Sequence, residues 1–404
     1  MPHLPIDSLV KRAGAGPTVT FVGHDASRTG APVMLYSFLR WLQTEEIEGV
    51  QLVLLAGGPM LADYQAVVPT QVLSSRVLTG SEVIASVTSS LGHPLHMPQT
   101  LVGVGLRSVA ASPIVVANTL ASLGTAKLLA DRASTTTMTA RLVCHVHELD
   151  GVAQRILPAS LANRSSLLDS VDRFIAASEA VAAMLVDRLC VDASKVTVIE
   201  EFIERPNPTP AAMAAARKRM SGGTNRPVIL NVGAMSHRKG PERFVDLMST
   251  LADHPSLPLG VWLGGERNSS VWAETEHDLA NSNLADTVLL LPTQEDSASC
   301  IAAADLVVST AIEDPFPLSV LEAAAAAKAV VAFESGGVID MLSAVDHPEL
   351  IVPIGDTLGM SAAVASLLEN SQRRELIGSQ LADWVGATHL VQHMAPVLWQ
   401  TVTQ

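Results

Sequence analysis

Cysteine is nearly absent from this chain. Its three residues, Cys144, Cys190 and Cys300, stand far apart. That spacing excludes a CxxC redox motif and a cysteine metal cluster, and fits reduced thiols in a cytoplasmic protein. Charge is scarce as well, at 16% of residues against 48% apolar, so large buried cores can form. The formal net charge is −14, and most of the excess acidity follows residue 204. A nucleic-acid partner calls for a basic surface opposite its phosphates, so no nucleic acid is expected. Long uncharged apolar runs are lacking, because Pro, Gly and polar residues break every candidate span; membrane contact is expected to be peripheral at most. The N-terminus shows no basic region followed by an apolar core, so no export signal is expected. There is no internal repeat, no charge block, no GxGxxG dinucleotide fingerprint and no Asp-x-Asp pair. A chain of 404 residues has room for two or three domains.

What is present is organised around residues 311–323, AIEDPFPLSVLEA. The apolar run Asp305–Thr310 before it reads as a buried parallel strand. The chain then turns at Pro315 and Pro317 and enters a helix over Leu318–Lys328, with Pro317 expected at the first helical position. Behind Phe316 and Pro317, the N–H groups of Leu318 and Ser319 are expected to lie unpaired, which makes an anion site suited to phosphate. Asp314 falls on the loop and Glu322 on the second turn. Carboxylates there accept hydrogen bonds from sugar hydroxyls, so the combination suits a nucleotide-sugar.

On either side, β-runs alternate with helical patterns, which implies parallel sheets covered on both faces. Strands are expected at 18–24, 51–56, 113–117, 141–147, 173–177, 195–199, 227–232, 259–263 and 287–291. Residues 74–112 are expected to be mainly helical. The first strand runs into Asp25-Ala-Ser-Arg28-Thr-Gly30-Ala-Pro32 and then a helix, the opening unit of a doubly wound domain. In Cys144-His-Val-His-Glu148, period two puts His145 and His147 on one side of a strand end, and no third ligand accompanies them to make a zinc site. Pro and Gly clusters around a short Ala-rich helix at 206–226 mark a linker. Beyond it, Arg238 and Lys239 sit on a strand-to-helix loop as surface cations able to meet a diphosphate.

These landmarks, in order, resemble the retaining glycosyltransferases of the two-domain GT-B fold, family 4 (glycosyl transferases group 1). Their carboxylate-x7-carboxylate element is similar to Asp314-Pro-Phe-Pro-Leu-Ser-Val-Leu-Glu322. Asp replaces the usual first Glu, with Glu313 just before it, so either acid could face the sugar. Their Gly-Arg…Lys-Gly pattern corresponds to Gly233…Lys239-Gly240, with Ala234 in place of Arg and Arg238 available as the missing cation. Gly264, the loop containing Thr293, and Gly336-Gly337 match further loops. Glu200-Glu201 departs from a common Asn-Gly pair.

The resemblance implies an α/β fold of two Rossmann-like domains facing across a cleft. It implies an acceptor-side domain at 1–205, a nucleotide-sugar domain at 227–390, and a C-terminal helix, 391–404, returning to the first domain. It implies retaining transfer from a UDP- or GDP-sugar to a glycan, lipid or small-molecule acceptor, with no cofactor and no metal. Arg238 and Lys239 would hold the diphosphate, Glu322 the ribose, Asp314 and His147 the sugar (His145 being the alternative), and Arg28 and Gly30 would line the donor phosphate or the acceptor. The rival readings are an epimerase or phosphorylase of the same fold, and a non-catalytic two-domain sugar-binding protein.

Overall fold

The computed structural model describes residues 18–73, 106–135 and 139–404. Most of the stretch 74–112, expected to be helical, lies outside the described residues; its end, Leu106–Ser108, is a single 3-10 turn.

The chain divides into two compact units. One comprises residues 1–177, 181–199 and 395–404, the other 178–180 and 200–394. Among the described residues, the first unit holds a parallel sheet of β1 (Val19–Gly23), β2 (Val50–Leu54), β3 (Thr70–Val72), β4 (Ile114–Ala117), β5 (Arg141–Val146), β6 (Arg173–Ala176) and β7 (Val196–Val198), in the order β3-β2-β1-β4-β5-β6-β7. The second holds β8 (Val228–Val232), β9 (Leu259–Leu263), β10 (Val288–Leu291), β11 (Leu306–Ser309), β12 (Val330–Phe333) and β13 (Ile351–Val352), in the order β10-β9-β8-β11-β12-β13.

The central strands are almost wholly apolar because helices cover both faces, which is why they read as continuous runs rather than alternating ones. β1 and β9 are buried at every position. The edge strands β3 and β13 escaped the sequence reading. They are two or three residues long, β3 partly buried throughout and β13 fully buried only at Val352, so neither hydrophobic run nor alternation marks them.

Helix starts follow local chemistry. The side chains of Thr209, Ser269, Asp296, Asp356 and Asn370 each accept the backbone N–H of the third residue of their helices, which satisfies a donor that the helix itself cannot. The helix Pro210–Ser221 is fastened within the second unit. Arg217 Nη1 lies 2.5 Å from Asp305 Oδ2, whose oxygen also accepts the Val228 N–H that opens β8. From Ala395 onward, the helix Val391–Thr403 belongs to the first unit, where the Trp399 ring lies 6.5 Å from that of Phe38. No described helix is long and apolar enough to cross a membrane.

In each sheet the strand order reverses once, between β1 and β4 and between β8 and β11, while the strands stay parallel. The crevice outside the carboxyl ends at such a reversal is where open α/β sheets hold ligands.

Candidate active site

In the second unit the reversal places the loop after β8 against the loop after β11. The backbone N–H groups of Ile312 and Glu313 donate to the Arg238 carbonyl at 2.8 and 3.3 Å, and Arg238 Nη1 donates to the Glu313 carbonyl at 3.0 Å. The Thr310 hydroxyl donates to the Gly240 carbonyl at 2.9 Å. This lacing carries Lys239 Nζ onto the Asp314 carboxylate. Lys239 is therefore no surface cation: its side chain is 15% exposed and that of Asp314 7%. The Glu313 backbone is used in the lacing, while the Asp314 side chain meets the lysine.

The loop after β12 closes on the same corner. The Asp314 N–H donates to Ser335 Oγ at 2.9 Å, and the Gly337 N–H to the Pro315 carbonyl at 2.9 Å. Gly336 has φ +55°, and a Cβ there would stand 1.8 Å from the Asp314 carbonyl oxygen. Only glycine allows both the left-handed backbone and that approach.

The helix behind this loop runs Leu318–Ala325, and Pro317 is its N-cap, with φ −76° and ψ 106°, rather than its first helical residue. The difference is physical: the extended ψ at Pro317 is that of a half-in capping residue. The unpaired amides expected behind it are present all the same. The first paired amides are those of Val320 and Leu321, both on the Pro317 carbonyl, and the N–H groups of Leu318 and Ser319 meet no acceptor among the described residues. Ser319 Oγ donates to the Val232 carbonyl at 3.2 Å and so ties the helix start to the end of β8.

Two further carboxyls of this unit have strongly raised pKa values. Glu322, half-buried on the same helix, has its pKa raised to about 7 by burial. Glu201, just past β7, is 3% exposed. Burial first, then the Asp314 charge, pushes its pKa up to about 8, against the opposing pull of Lys239. Glu201 thus belongs to the Lys239–Asp314 group. The sequence marked it only as a carboxylate standing where relatives carry Asn-Gly.

Gly264 is pressed against β8's exit: with φ +127°, a Cβ there would stand 2.3 Å from the Gly233 carbonyl oxygen. Thr293 fastens the neighbouring loop, its N–H donating to the Gly265 carbonyl and its Oγ1 accepting the Gly265 N–H, both at 3.1 Å.

In the first unit, His145 and His147 do share one side of the strand end, their ring centroids 4.0 Å apart. Both are held below the usual histidine range. Burial is the main cause for each, seconded by His147 for His145 and by His24 for His147, which falls to about 3. His147 is therefore a neutral imidazole at physiological pH. Glu148 caps the helix Leu120–Ala133 that follows β4, accepting the Leu120 N–H at 3.0 Å, and also accepts the His147 N–H at 3.0 Å. His24, from the loop after β1, has Nδ1 3.4 Å from Thr119 Oγ1 at the end of β4. Arg28 is exposed, and Gly30 opens a helix with nothing within 4 Å of where its Cβ would be.

The structure so gathers Arg238, Lys239, Asp314, Phe316, Pro317, Leu318 and Ser319 at one reversal point, with Gly264, Thr293 and Glu322 on the same unit. His147, Arg28 and Gly30 lie on the other. Among the described residues, no group of three or more His, Cys, Asp or Glu is placed to hold a metal ion.

Two family models match the chain, "Glycosyltransferase Family 4" over residues 28–205 and "Glycosyl transferases group 1" over residues 226–370. The chain belongs to the family 4, group 1 glycosyltransferases. Among similar members, the D-inositol 3-phosphate glycosyltransferase of Kineococcus radiotolerans is 30% identical over 232 residues, 54% of this chain and 53% of that one. That of Salinispora arenicola is 30% identical over 195 residues, 45% and 44% respectively. The matches span about half the length of these relatives. Crystal structures share the GT-B fold. Anabaena Alr3699/HepE in complex with UDP and glucose has a TM-score of 0.78 at 18% identity, covering 96% of this chain and 100% of that one. Sucrose-phosphate synthase from Thermosynechococcus elongatus has a TM-score of 0.72 at 19% identity, covering 96% and 98%. At such identity this family 4 chain shares with them its fold.

Proposed function

We propose that this glycosyltransferase moves a sugar, with retention at the anomeric carbon, from a nucleoside diphosphate sugar to an acceptor hydroxyl. The observation that carries the reading is the Lys239–Asp314 pair beside the unpaired N–H groups of Leu318 and Ser319. A dianionic diphosphate fits the cation and the helix start, and a sugar fits the carboxylate. In the ligand-free protein Lys239 neutralises Asp314. A bound diphosphate would draw Lys239 toward phosphate and release Asp314 to accept sugar hydroxyls.

The bond that breaks joins the anomeric carbon to the β-phosphate oxygen. Lys239, Arg238 and the two N–H groups would stabilise the negative charge growing on that oxygen. The bond that forms joins the same carbon to the acceptor oxygen, on the same face, while the acceptor proton passes to the departing phosphate. Uridine is the favoured base; the Anabaena protein holds UDP and glucose. The relatives named for D-inositol 3-phosphate favour a polyol or glycan acceptor. No divalent metal is required in this scheme, because fixed cations face the diphosphate.

A panel of UDP-, GDP- and ADP-sugars, assayed for nucleoside diphosphate release with and without acceptors and with excess chelator, tests this. Base-selective, acceptor-stimulated, chelator-resistant release is expected. No release from any of the nucleotide-sugars would favour a phosphorylase, which needs no nucleotide, and activity restored only by Mg²⁺ or Mn²⁺ would overturn metal independence.

Two substitutions divide the roles. Glu322→Ala should weaken binding of the free nucleoside diphosphate by about 1.5–3 kcal/mol, the loss of hydrogen bonds to a charged acceptor. Calorimetry reads this directly, and unchanged affinity in a folded variant removes Glu322 from the nucleotide site. His147→Ala should leave that affinity within about twofold, since the nucleotide loops belong to the other unit. It should lower transfer by on the order of a hundredfold, the effect of losing one positioning contact at the reacting centre. Normal transfer would make His147 an ordinary strand-end residue.

A further inference from the structure

The loop that carries Asp314 is held from two sides. On one side lies glycine: a Cβ at Gly337 would stand 2.0 Å from the Phe316 ring. On the other lies His389, at the end of the helix Ser371–Thr388, its ring 5.8 Å from that of Phe316 at an interplanar angle of 13°. His389 is itself clamped. It is 3% exposed, and Trp384 lies against its ring at 4.3 Å. Its Nε2 is 2.7 Å from Glu200 Oε2 and its Nδ1 2.6 Å from Thr388 Oγ1. The Thr388 hydroxyl donates its one proton to the Trp384 carbonyl at 2.6 Å, so Nδ1 must carry the proton of the contact with Thr388. The His389 backbone is fixed too: its N–H donates to Val385 and its carbonyl accepts the Ile203 N–H, at 2.9 and 3.0 Å.

A histidine fastened at both nitrogens and at its backbone, with one face on a loop phenylalanine, has no evident use in the helix to which it belongs. We propose that His389 is a positioning residue for sugar transfer. Clamped by Glu200, it fixes Phe316 against Gly337 and so sets the placement of Asp314 and of the Leu318 and Ser319 N–H groups. The inference rests on the functional reading above for its catalytic consequence, but not for its structural one. It also gives Glu200 a role: the first of the two carboxylates at residues 200–201 holds the histidine, while the second borders Lys239 and Asp314.

The test uses Glu200→Gln, Glu200→Ala, His389→Phe and His389→Ala in the full chain, with two readouts. The first is amide hydrogen exchange in the ligand-free protein. The Val320, Leu321 and Gly337 amides, which close the loop on the Pro317 and Pro315 carbonyls, should exchange at least tenfold faster in His389→Ala and Glu200→Ala. Amides of β8 and β9 should not change. His389→Phe, which keeps the stacked ring and loses the clamp, should fall between. The second readout is steady-state transfer well below the melting temperature. The two Ala variants should lose about ten- to a hundredfold in kcat, as a displacement of the order of 1 Å at the reacting groups would produce. Glu200→Gln should recover most of that loss, because a side-chain amide can still hydrogen-bond to Nε2.

Unchanged exchange at the loop overturns the proposal, whatever the enzyme does. Faster exchange with wild-type kcat overturns it as well, since His389 would then be structural only. If His389→Ala fails to fold, Glu200→Ala and Glu200→Gln carry both readouts. Should the wild-type chain bind no UDP and release none from UDP-sugars, it is the functional reading that fails, and loop exchange alone decides whether His389 holds the loop.

Discussion

Lys239→Ala is expected to lower sugar transfer by a factor of several hundred and, separately, to destabilise the second unit. The first effect comes from the leaving group. A charge-assisted donor on an oxygen that gains negative charge in the transition state contributes about 3–4 kcal/mol. The second comes from what the lysine leaves behind. A surface cation on a loop, as the sequence pattern implies for Lys239, would barely touch stability when removed. In the structure its amine rests on Asp314, and both side chains are largely buried. Removing one partner of a buried ion pair strands the other charge and costs about 3–5 kcal/mol. Here the stranded carboxylate would also stand beside Glu201.

The two effects separate in the double variant Lys239→Ala, Asp314→Asn. With no charge left to strand, stability should return to within about 1 kcal/mol of wild type while transfer stays low. Thermal unfolding and nucleoside diphosphate release from the same preparations decide it. A Lys239→Ala enzyme that transfers within tenfold of wild type would remove the lysine from the reaction. A double variant no more stable than the single one would show that the pair is not what makes the lysine structural.

Glu201→Gln should flatten the pH dependence of stability between about pH 5 and pH 8. The Glu201 pKa is about 8 in the folded chain, against an ordinary glutamate value of about 4.3. Below the lower value the carboxyl is protonated folded or unfolded, and pH has no effect through it. Between the two, the unfolded chain gives up the proton and the folded chain keeps it. Stability therefore falls as pH rises, by about 1.4 kcal/mol per unit and by several kcal/mol across the window. Glutamine has no proton to lose, so the variant should gain on wild type steadily up to pH 8 and hold that advantage beyond it. Glu322, raised to about 7, adds a slope of the same sign to both proteins and cancels from the difference. Parallel unfolding curves at pH 5, 6.5 and 8 would show that Glu201 ionises as an ordinary surface acid.

Sequence alone determined the α/β class, the alternation of strand and helix, and the family. The reason is that parallel strands buried on both faces must be continuous apolar runs, and that the loops at their carboxyl ends carry a fixed order of glycines, cations and carboxylates. It also marked the helix start with its unpaired amides, since Pro317 and the amides behind it are contiguous. Contacts between residues far apart in the chain were decided by tertiary structure. Lys239 and Asp314 are 75 residues apart, and only the reversal between β8 and β11 brings their loops together. That meeting turns a loop lysine into half of a buried pair. Glu200 and His389 are 189 residues apart, and no periodicity links a strand-end glutamate to a helix-end histidine. The raised pKa of Glu201 arises from burial beside Asp314, and burial of a carboxyl is a property of what packs over it, which the local sequence Glu200-Glu201-Phe202 does not contain.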